Sequence, residues 1–339
     1  MYNQVEAILS QYELEIHEVR KGRGSYICNT DKGIKVVTAF SGSKEKGLFL
    51  KYFLEQIMIP DKIKNGLQIE QIMLNKNGEA VTTDEMTGET FLLKDYITGR
   101  ELDTEKADEL KSAVRLLADY KRKAEIISFQ SLENFHSACL VQDTTGTESS
   151  ARVIDIRKRH QRELVKVRNF IRKRKKRNGF EQLFLSANES MQSTMQRSIE
   201  ILEKHPNAKC MFCHGDVNQH NILYEHGNWR LVNFENFTYS WQVLDMANFF
   251  RKIMEKNNWN VQLGLELIEL YQKQADLEKD QMEQLYGLLL FPEKFWKVSN
   301  HYMNSRKNWV SQKDVEKLKK VVEQEEKRLY FMEQLYSRS

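Results

Sequence analysis

A short polar loop set between two apolar runs constrains this chain more than any other feature of its sequence. The residues from Cys213 to Leu223 read Cys-His-Gly-Asp-Val-Asn-Gln-His-Asn-Ile-Leu, inside a segment that extends over 208–237. The apolar residues on either side predict two short strands, so the polar residues lie in their connection. The loop holds Asp216 and, five positions later, Asn221. We therefore expect a carboxylate and an amide to be presented together where a strand ends.

An aspartate followed at this distance by an asparagine is typical of a phosphoryl-transfer loop. In such a loop the aspartate accepts the proton of the attacking hydroxyl or orients the nucleophile, and the asparagine offers a neutral oxygen to Mg²⁺. Asp216 is therefore the candidate catalytic residue, and Asn221 is a candidate metal ligand. Asn233 and Glu235 follow the next apolar run, where a second metal ligand is expected.

The rest of the chain divides into a part with strand-like patterns and a longer part with helical patterns. Turn signals such as Asp31–Gly33 separate β-branched runs up to residue 98, with one helix expected at 41–57. Later helices are predicted at 104–123, 149–178 and 191–204, with about three more after residue 237. The sequence predicts an α+β protein with a small antiparallel sheet in domain 1–98 and a helical domain 99–339.

Charge, hydropathy and cysteine content exclude several classes of protein. Lysine and arginine number 52 and aspartate and glutamate 48, so the net charge of +4 indicates no particular partner. No apolar run approaches the roughly 20 residues that cross a bilayer, and the N-terminus shows no secretory signal. Four cysteines are too few for a disulfide framework in 339 residues. We expect synthesis in the cytoplasm and no membrane insertion.

The polar loop and the residues after it resemble a known family. His214-Gly215-Asp216 with Asn221, then the element at Asn233, then Asp245-Met246-Ala247 resemble the aminoglycoside phosphotransferase and choline kinase branch of the protein-kinase-like fold. A second resemblance, to the CotS family of bacterial spore coat proteins, comes from the C-terminal part of the chain. Its residues are Phe291-Pro292-Glu293-Lys294-Phe295-Trp296-Lys297, Asn300-His301-Tyr302 and Ser305-Arg306-Lys307-Asn308-Trp309.

The resemblance implies a bilobal molecule with ATP, and Mg²⁺ if the protein is active, between a small and a large lobe. The small lobe would correspond to domain 1–98, and the hinge to its end. Tyr96, in the run 94–97, would then pass the adenine, and Gly22 with Gly24 would form the turn that covers the phosphates. The large lobe would carry the catalytic loop 213–223 and a metal loop at 231–237.

The resemblance also implies a lysine that holds the α- and β-phosphates. Lys35, on the strand after the first hairpin, is the best match to this lysine, and Glu45 on the following helix is its nearest candidate partner. Lys32 and Lys44 remain rival candidates for the same role. Asp245 matches a helix aspartate that holds the catalytic-loop backbone in this fold.

His214 has two interpretations, of which a structural one is favoured. In this interpretation the histidine packs under the catalytic loop and supports it, together with Asp245. The alternative for His214 is an acid or base, and no partner can be identified for His220. A zinc site is not indicated either, because no cysteine pair completes a ligand set with His214 and His220.

Asn233 is where the chain departs from the family. Active relatives carry an aspartate at the corresponding position, and its carboxylate chelates Mg²⁺. Because Mg²⁺ prefers charged oxygen ligands, an amide there should lower metal affinity sharply. Three interpretations stay open: a pseudokinase, a site rescued by the carboxylate of Glu235, and slow turnover by Asp216 with Asn221.

A dense basic run occupies the predicted helix at 157–177. Its residues are Arg157, Lys158, Arg159, Arg162, Lys166, Arg168, Arg172, Lys173, Arg174, Lys175, Lys176 and Arg177. The run is either a solvated helix face or an electropositive surface for an acidic partner. Nucleic acid is less favoured, because no helix-turn-helix, aromatic stacking platform or zinc module accompanies the run.

The resemblance to the CotS family implies a kinase-like spore coat protein that is synthesised in the mother-cell cytoplasm during sporulation. It would be a structural or scaffolding component with weak or absent ATP-dependent phosphotransferase activity, binding other coat proteins or an acidic partner through 157–177. The alternative is an active phosphotransferase that moves the γ-phosphate of ATP to a hydroxyl of a small molecule or coat component.

Overall fold

An antiparallel sheet of five strands forms near the N-terminus. The computed structural model describes residues 2–58, 69–127, 147–305 and 311–337. The strands are β1 (Ile16–Lys21), β2 (Ser25–Thr30), β3 (Gly33–Ala39), β4 (Val81–Thr83) and β5 (Thr90–Asp95), in the spatial order β1-β2-β3-β5-β4. Gly33 lies in the turn between β2 and β3 with a φ of +86°. This backbone conformation would be strained in a residue that carries a side chain.

Five shorter strands surround the predicted polar loop. They are β6 (Arg100–Glu101), β7 (Cys210–Cys213), β8 (Ile222–Glu225), β9 (Asn228–Leu231) and β10 (Thr238–Trp241). Strands β6, β8 and β9 form one sheet, and β7 pairs with β10. One-turn 3₁₀ helices at Gln219–Asn221 and Phe234–Asn236 complete the segment. The predicted strand-loop-strand arrangement around Asp216 is confirmed.

Helices account for most of the remaining described residues. They are α1 (Tyr2–Leu9), α2 (Lys44–Met58), α3 (Ala107–Ile126), α4 (Thr147–Arg172), α5 (Gly179–Leu202), α6 (Leu244–Lys256), α7 (Val261–Ala275), α8 (Lys279–Leu290), α9 (Glu293–Asn304) and α10 (Gln312–Tyr336). The predicted order, a sheet first and helices after it, is confirmed. No helix in the described ranges is both long and apolar enough to cross a membrane.

The predicted helix at 149–178 is wrong at its C-terminal end. Helix α4 ends at Arg172, and the basic residues 173–177 lie in the connection to α5. Asn178 caps α5, because its side chain accepts a hydrogen bond from the N–H of Glu181 while the Glu181 carboxylate accepts one from the N–H of Asn178. This capping box starts a new helix where the sequence had suggested the end of the old one.

The described residues cluster into two compact units. The first contains 1–103, 112–144 and 211–239, and the second contains 104–111, 145–210 and 240–339. Residues 211–239, which carry the predicted catalytic loop, thus cluster with the N-terminal sheet. The predicted domain boundary at residue 98 remains a prediction.

Each unit has a hydrophobic core of its own. In the first, Phe49 and Phe53 of α2 contact Phe212 of β7 and Phe237, with ring centroids 5.0–5.6 Å apart. This cluster holds the strand that leads into the polar loop. In the second unit the core is built from α4, α5, α9 and α10, and includes Phe184 and Phe295. Residues 306–310, part of the run that resembles spore coat proteins, lie outside the described residues.

Candidate active site

The polar loop makes its turn at Gly215. This residue has a φ of +84°, and a Cβ atom placed on it would lie 2.0 Å from the carbonyl oxygen of Asn236. Both the dihedral angle and the close approach require glycine. The loop containing Asp216 and the loop at 234–236 are therefore in direct backbone contact.

His214 connects the same two loops through hydrogen bonds of its imidazole ring. The side chain is fully buried, its Nε2 donates to the carbonyl of Val232 at 2.8 Å, and its Nδ1 accepts from the N–H of Asp216 at 3.2 Å. Because a carbonyl only accepts, these contacts assign the proton to Nε2. The structure places His214 where the sequence predicts a supporting residue.

Two asparagines hold the backbone of Asp216. The side-chain nitrogens of Asn218 and Asn221 donate to its carbonyl oxygen at 3.0 and 2.8 Å. Asn218 also caps the 3₁₀ turn by accepting from the N–H of His220 at 2.8 Å. The main chain at the candidate catalytic residue is thus fixed from two sides.

Asn233 adopts a left-handed backbone conformation, with φ 69° and ψ 61°, which asparagine tolerates better than most residues. Its N–H and that of Phe234 both donate to the buried carboxylate of Glu70, at 3.0 and 3.1 Å. Its side-chain nitrogen donates to Oδ1 of Asn221 at 2.8 Å. Two residues predicted as metal ligands therefore bind each other through their amides.

Lys94 of β5 lies at the centre of this arrangement, with only 2% of its surface exposed. Its ammonium group contacts Glu70 at 2.9 Å and Oδ1 of Asn233 at 3.1 Å, and forms an ion pair with Glu235. Burial acts to lower the pKa of Lys94, but the charges of Glu70 and Glu235 outweigh it and raise the pKa above its ordinary value. The lysine is therefore held in its charged form.

A cavity of about 520 Å³ in the first unit connects these residues. Its lining contains Asp216, Asn221, Asn233 and Glu235, together with Tyr96. Among the lining residues, cationic Arg23 and Lys94 stand against five acidic ones, which are Glu70, Asp95, Glu101, Asp216 and Glu235. The cavity is therefore predominantly negative, which opposes the entry of a polyphosphate.

The residues present do not fit a Mg²⁺ site. Oδ1 of Asn221 accepts from Asn233, Oδ1 of Asn233 accepts from Lys94, and the Glu235 carboxylate pairs with the same ammonium group. Each residue that the sequence assigns to a metal thus already has a side-chain oxygen in contact with another protein group. Within the described ranges, no cluster of three or more histidine, cysteine, aspartate or glutamate side chains could hold a metal ion.

The predicted ion pair between Lys35 and Glu45 is wrong. Lys35 pairs with Asp95 on the neighbouring strand at 2.6 Å, and Glu45 is exposed in the first turn of α2, near Ser43. Lys35 does not line the cavity, whereas Val36 and Thr38 of the same strand do. Alternate residues of a strand face opposite sides, so β3 turns Lys35 away from the cavity.

The other predicted nucleotide-binding residues differ in whether they line the cavity. Tyr96 lines the cavity, and its N–H donates to the carbonyl of Ile34 at 3.0 Å. Gly22 and Gly24 lie in the β1–β2 turn but outside the cavity lining, which Arg23 between them reaches. Asp245 is buried in α6 of the second unit.

Sequence reasoning missed Lys94 and Glu70 as site residues. Lys94 follows Phe91, Leu92 and Leu93 in a strand, and it shares a strand face with buried Leu92. A lysine at such a position is rarely buried unless it is paired, so its place in the strand was the available signal. Glu70 carries no comparable signal.

A sequence model of the choline/ethanolamine kinase family matches residues 89–276, which is more than half of the chain. The chain belongs to this family. The prediction that it falls in the aminoglycoside phosphotransferase and choline kinase branch is confirmed. A search of curated protein sequences finds no match.

Solved structures show that this choline/ethanolamine kinase family member has the kinase-like phosphotransferase fold. An aminoglycoside phosphotransferase from Alicyclobacillus acidocaldarius subsp. acidocaldarius DSM 446 is 16% identical, with a TM-score of 0.77 over 98% of this chain and 95% of that one. A spectinomycin phosphotransferase, solved with ADP and spectinomycin, is 12% identical, with a TM-score of 0.63 over 95% and 96%. An amicoumacin kinase, solved with AMP-PNP and Ca²⁺, is 11% identical, with a TM-score of 0.58 over 97% and 96%.

Proposed function

We propose that this chain is a kinase-like component of the bacterial spore coat that has lost metal-dependent phosphoryl transfer. The observation that carries the proposal is that both polar atoms of the Asn233 side chain are already hydrogen-bonded to protein groups. Its side-chain oxygen accepts from Lys94 and its side-chain nitrogen donates to Asn221. A position that would have to offer oxygen to a metal therefore holds two protein groups together instead.

Neither of the other two interpretations, rescue by Glu235 and slow turnover by Asp216 with Asn221, finds support in the geometry. The carboxylate of Glu235 is paired with Lys94, and Oδ1 of Asn221 accepts from Asn233. The lining of the cavity adds a second obstacle to a triphosphate without a divalent cation, since five of its side chains are acidic and two are basic. Asp216 keeps its place in the cavity, but positioning alone does not neutralise the transferred phosphoryl group.

The test is a comparison of the wild-type protein with Asp216→Asn. Phosphate release from ATP and transfer to choline or ethanolamine are measured with Mg²⁺ and with a chelator, alongside thermal unfolding in the same buffers. We expect no Mg²⁺-dependent turnover above that of Asp216→Asn, and no additional rise in Tm when Mg²⁺ accompanies ATP. Mg²⁺-dependent transfer that Asp216→Asn abolishes would instead establish the alternative, an active phosphotransferase.

The placement in the spore coat is supported by the resemblance of the C-terminal run to the CotS family. For partners we propose an acidic coat protein that binds the basic connection between α4 and α5. Lys173, Lys175 and Lys176 are exposed there, whereas Arg174 pairs with Glu181 and the Arg177 guanidinium donates to backbone carbonyls. The three lysines therefore present their charge to solvent.

Charge reversal tests this surface in a spore-forming host that carries a fluorescently tagged copy. Changing Lys173, Lys175 and Lys176 to glutamate should abolish localisation to the coat and leave Tm close to wild type. The matched control reverses three exposed lysines of α10, Lys313, Lys320 and Lys327, with the same change in net charge. Equal localisation of both variants would contradict the proposed surface.

A further inference from the structure

Three oxygen atoms, two of them from the loop at 233–236, surround one ammonium group. They belong to Glu70, Asn233 and Glu235, and the ammonium group is that of Lys94. The ammonium group donates hydrogen bonds to Glu70 and Asn233 and forms an ion pair with Glu235. The side chain is almost completely shielded from water, which leaves the contacts to stabilise the charge.

The same three oxygens form a donor set of the kind that hard divalent cations take. Two are carboxylate oxygens and one is an amide oxygen, all suited to Mg²⁺ or Mn²⁺. Glu70 is held in place by two backbone N–H groups, those of Asn233 and Phe234, in addition to Lys94. Part of the set is therefore oriented by the main chain rather than by the lysine alone.

The position of Lys94 in the sheet explains how its charge reaches this point. Lys94 lies directly opposite Val36 of β3, and both residues line the cavity. Lys35, one residue earlier, pairs with Asp95 and stays outside the lining. The cation therefore comes from β5 and not from β3.

From this geometry we infer that Lys94 is a tethered monovalent cation that occupies a divalent-cation site formed by Glu70, Asn233 and Glu235. In the wild-type protein the ammonium group excludes divalent ions from this set of oxygens. Removal of its charge leaves two carboxylates and an amide oxygen without a cation, and a divalent ion binds there. The inference rests on the proposed function, since it concerns the same cavity.

The test is a Mn²⁺ titration, followed by electron paramagnetic resonance, of wild type and Lys94→Met without nucleotide. Methionine has a similar length and no charge, and thermal unfolding and circular dichroism establish that the variant is folded. Lys94→Met should bind one Mn²⁺ per chain at least about tenfold more tightly than wild type. Adding Glu235→Gln to Lys94→Met should remove this binding.

Lys35→Met is the matched control, because it also frees a carboxylate, that of Asp95, in the same sheet. It should bind Mn²⁺ no better than wild type. Equal affinities of wild type and Lys94→Met, or binding by Lys94→Met that survives Glu235→Gln, would overturn the inference. So would a folded Lys94→Met that binds no Mn²⁺.

If Lys94→Met does not fold, the wild-type protein still decides the question. A Mn²⁺-dependent rise in its Tm that Glu235→Gln abolishes would overturn the inference, and no such rise would support it. None of these measurements uses ATP or turnover. Failure of the inference is therefore distinct from failure of the proposed function, which only phosphate transfer by the wild type would show.

Discussion

The side-chain nitrogen of Asn233 donates a hydrogen bond to the side-chain oxygen of Asn221 at 2.8 Å. The direction of this bond follows from Lys94, which has only donors and therefore requires the oxygen of Asn233 on its own side. Lys94 thus sets the orientation of the Asn233 amide, and the carbonyl of Asp216 sets that of the Asn221 amide. The two neutral side chains of the site, Asn221 and Asn233, are therefore oriented to bind each other.

Asn233→Asp should destabilise the protein rather than restore it. The new carboxylate would face the oxygen of Asn221 and add a third negative charge around Lys94, so we expect a loss of about 1–3 kcal/mol in the free energy of unfolding. Urea denaturation measures the loss. Asn236→Asp, at an exposed position of the adjacent 3₁₀ turn, should stay within about 0.5 kcal/mol of wild type. Mg²⁺-dependent turnover by Asn233→Asp alone would contradict this account.

The charge of Lys94 should make stability fall at alkaline pH. Because its pKa in the folded protein lies above the ordinary value of 10.5, its contribution is fully present below that pH and is lost as the pH rises through the folded pKa. Wild type should therefore be more stable than Lys94→Met at neutral pH, with a difference that shrinks above pH 10.5. Denaturation at a series of pH values without divalent ions tests this. A difference that stays constant through and above pH 10.5 would mean that folding does not raise the pKa of Lys94.

Gly215→Ala should be strongly destabilising. A Cβ atom 2.0 Å from the carbonyl oxygen of Asn236 forces the two loops apart, so we expect a loss of at least about 3 kcal/mol in the free energy of unfolding. Gly24→Ala is the control, since Gly24 also has a positive φ but no heavy atom would lie within 4 Å of the added Cβ. Its cost should be about 1 kcal/mol. Equal losses in chemical denaturation would mean that the dihedral angle, and not the loop contact, sets the requirement for glycine.

Glu293→Gln should destabilise the second unit at neutral pH and much less in acid. Burial acts to raise the pKa of Glu293, but Arg157 at 3.4 Å, with His160 and Lys297, holds the pKa well below its usual range. Its contribution is therefore present above about pH 4.5, the ordinary value, and is lost progressively below it. We expect a loss of about 3 kcal/mol at pH 7 from thermal or urea unfolding.

The control for this prediction is Glu323→Gln, because Glu323 forms an exposed pair with Lys319. Exposed pairs contribute at most about 1 kcal/mol, so this variant should resemble wild type at every pH. A loss for Glu293→Gln that is the same at pH 7 and in acid would indicate a packing effect without a charge contribution.

Local sequence spacing was sufficient to find the polar loop and the strands around it. The site residues of this loop, Asp216, Asn218 and Asn221, lie within six positions, and their contacts form inside one turn of chain. Their spacing in the sequence is therefore enough to predict that they come together. The order of sheet and helices was equally accessible, because periodicity and turn residues act over short distances. The helix end at Arg172 was misplaced because basic residues continue past it, although Asn178 and Glu181 marked the next cap.

The residues that decide the chemistry could not be found in this way. Lys94 meets Glu70, 24 positions away, and Asn233, 139 positions away, only after strand β5 has paired with β3 in one register. A shift of one residue would have turned Lys94 away from Glu70 and Asn233, with the same local pattern. Local propensities specify the elements, whereas the partners of a buried charge depend on how distant elements pack, since only burial makes the pairing obligatory.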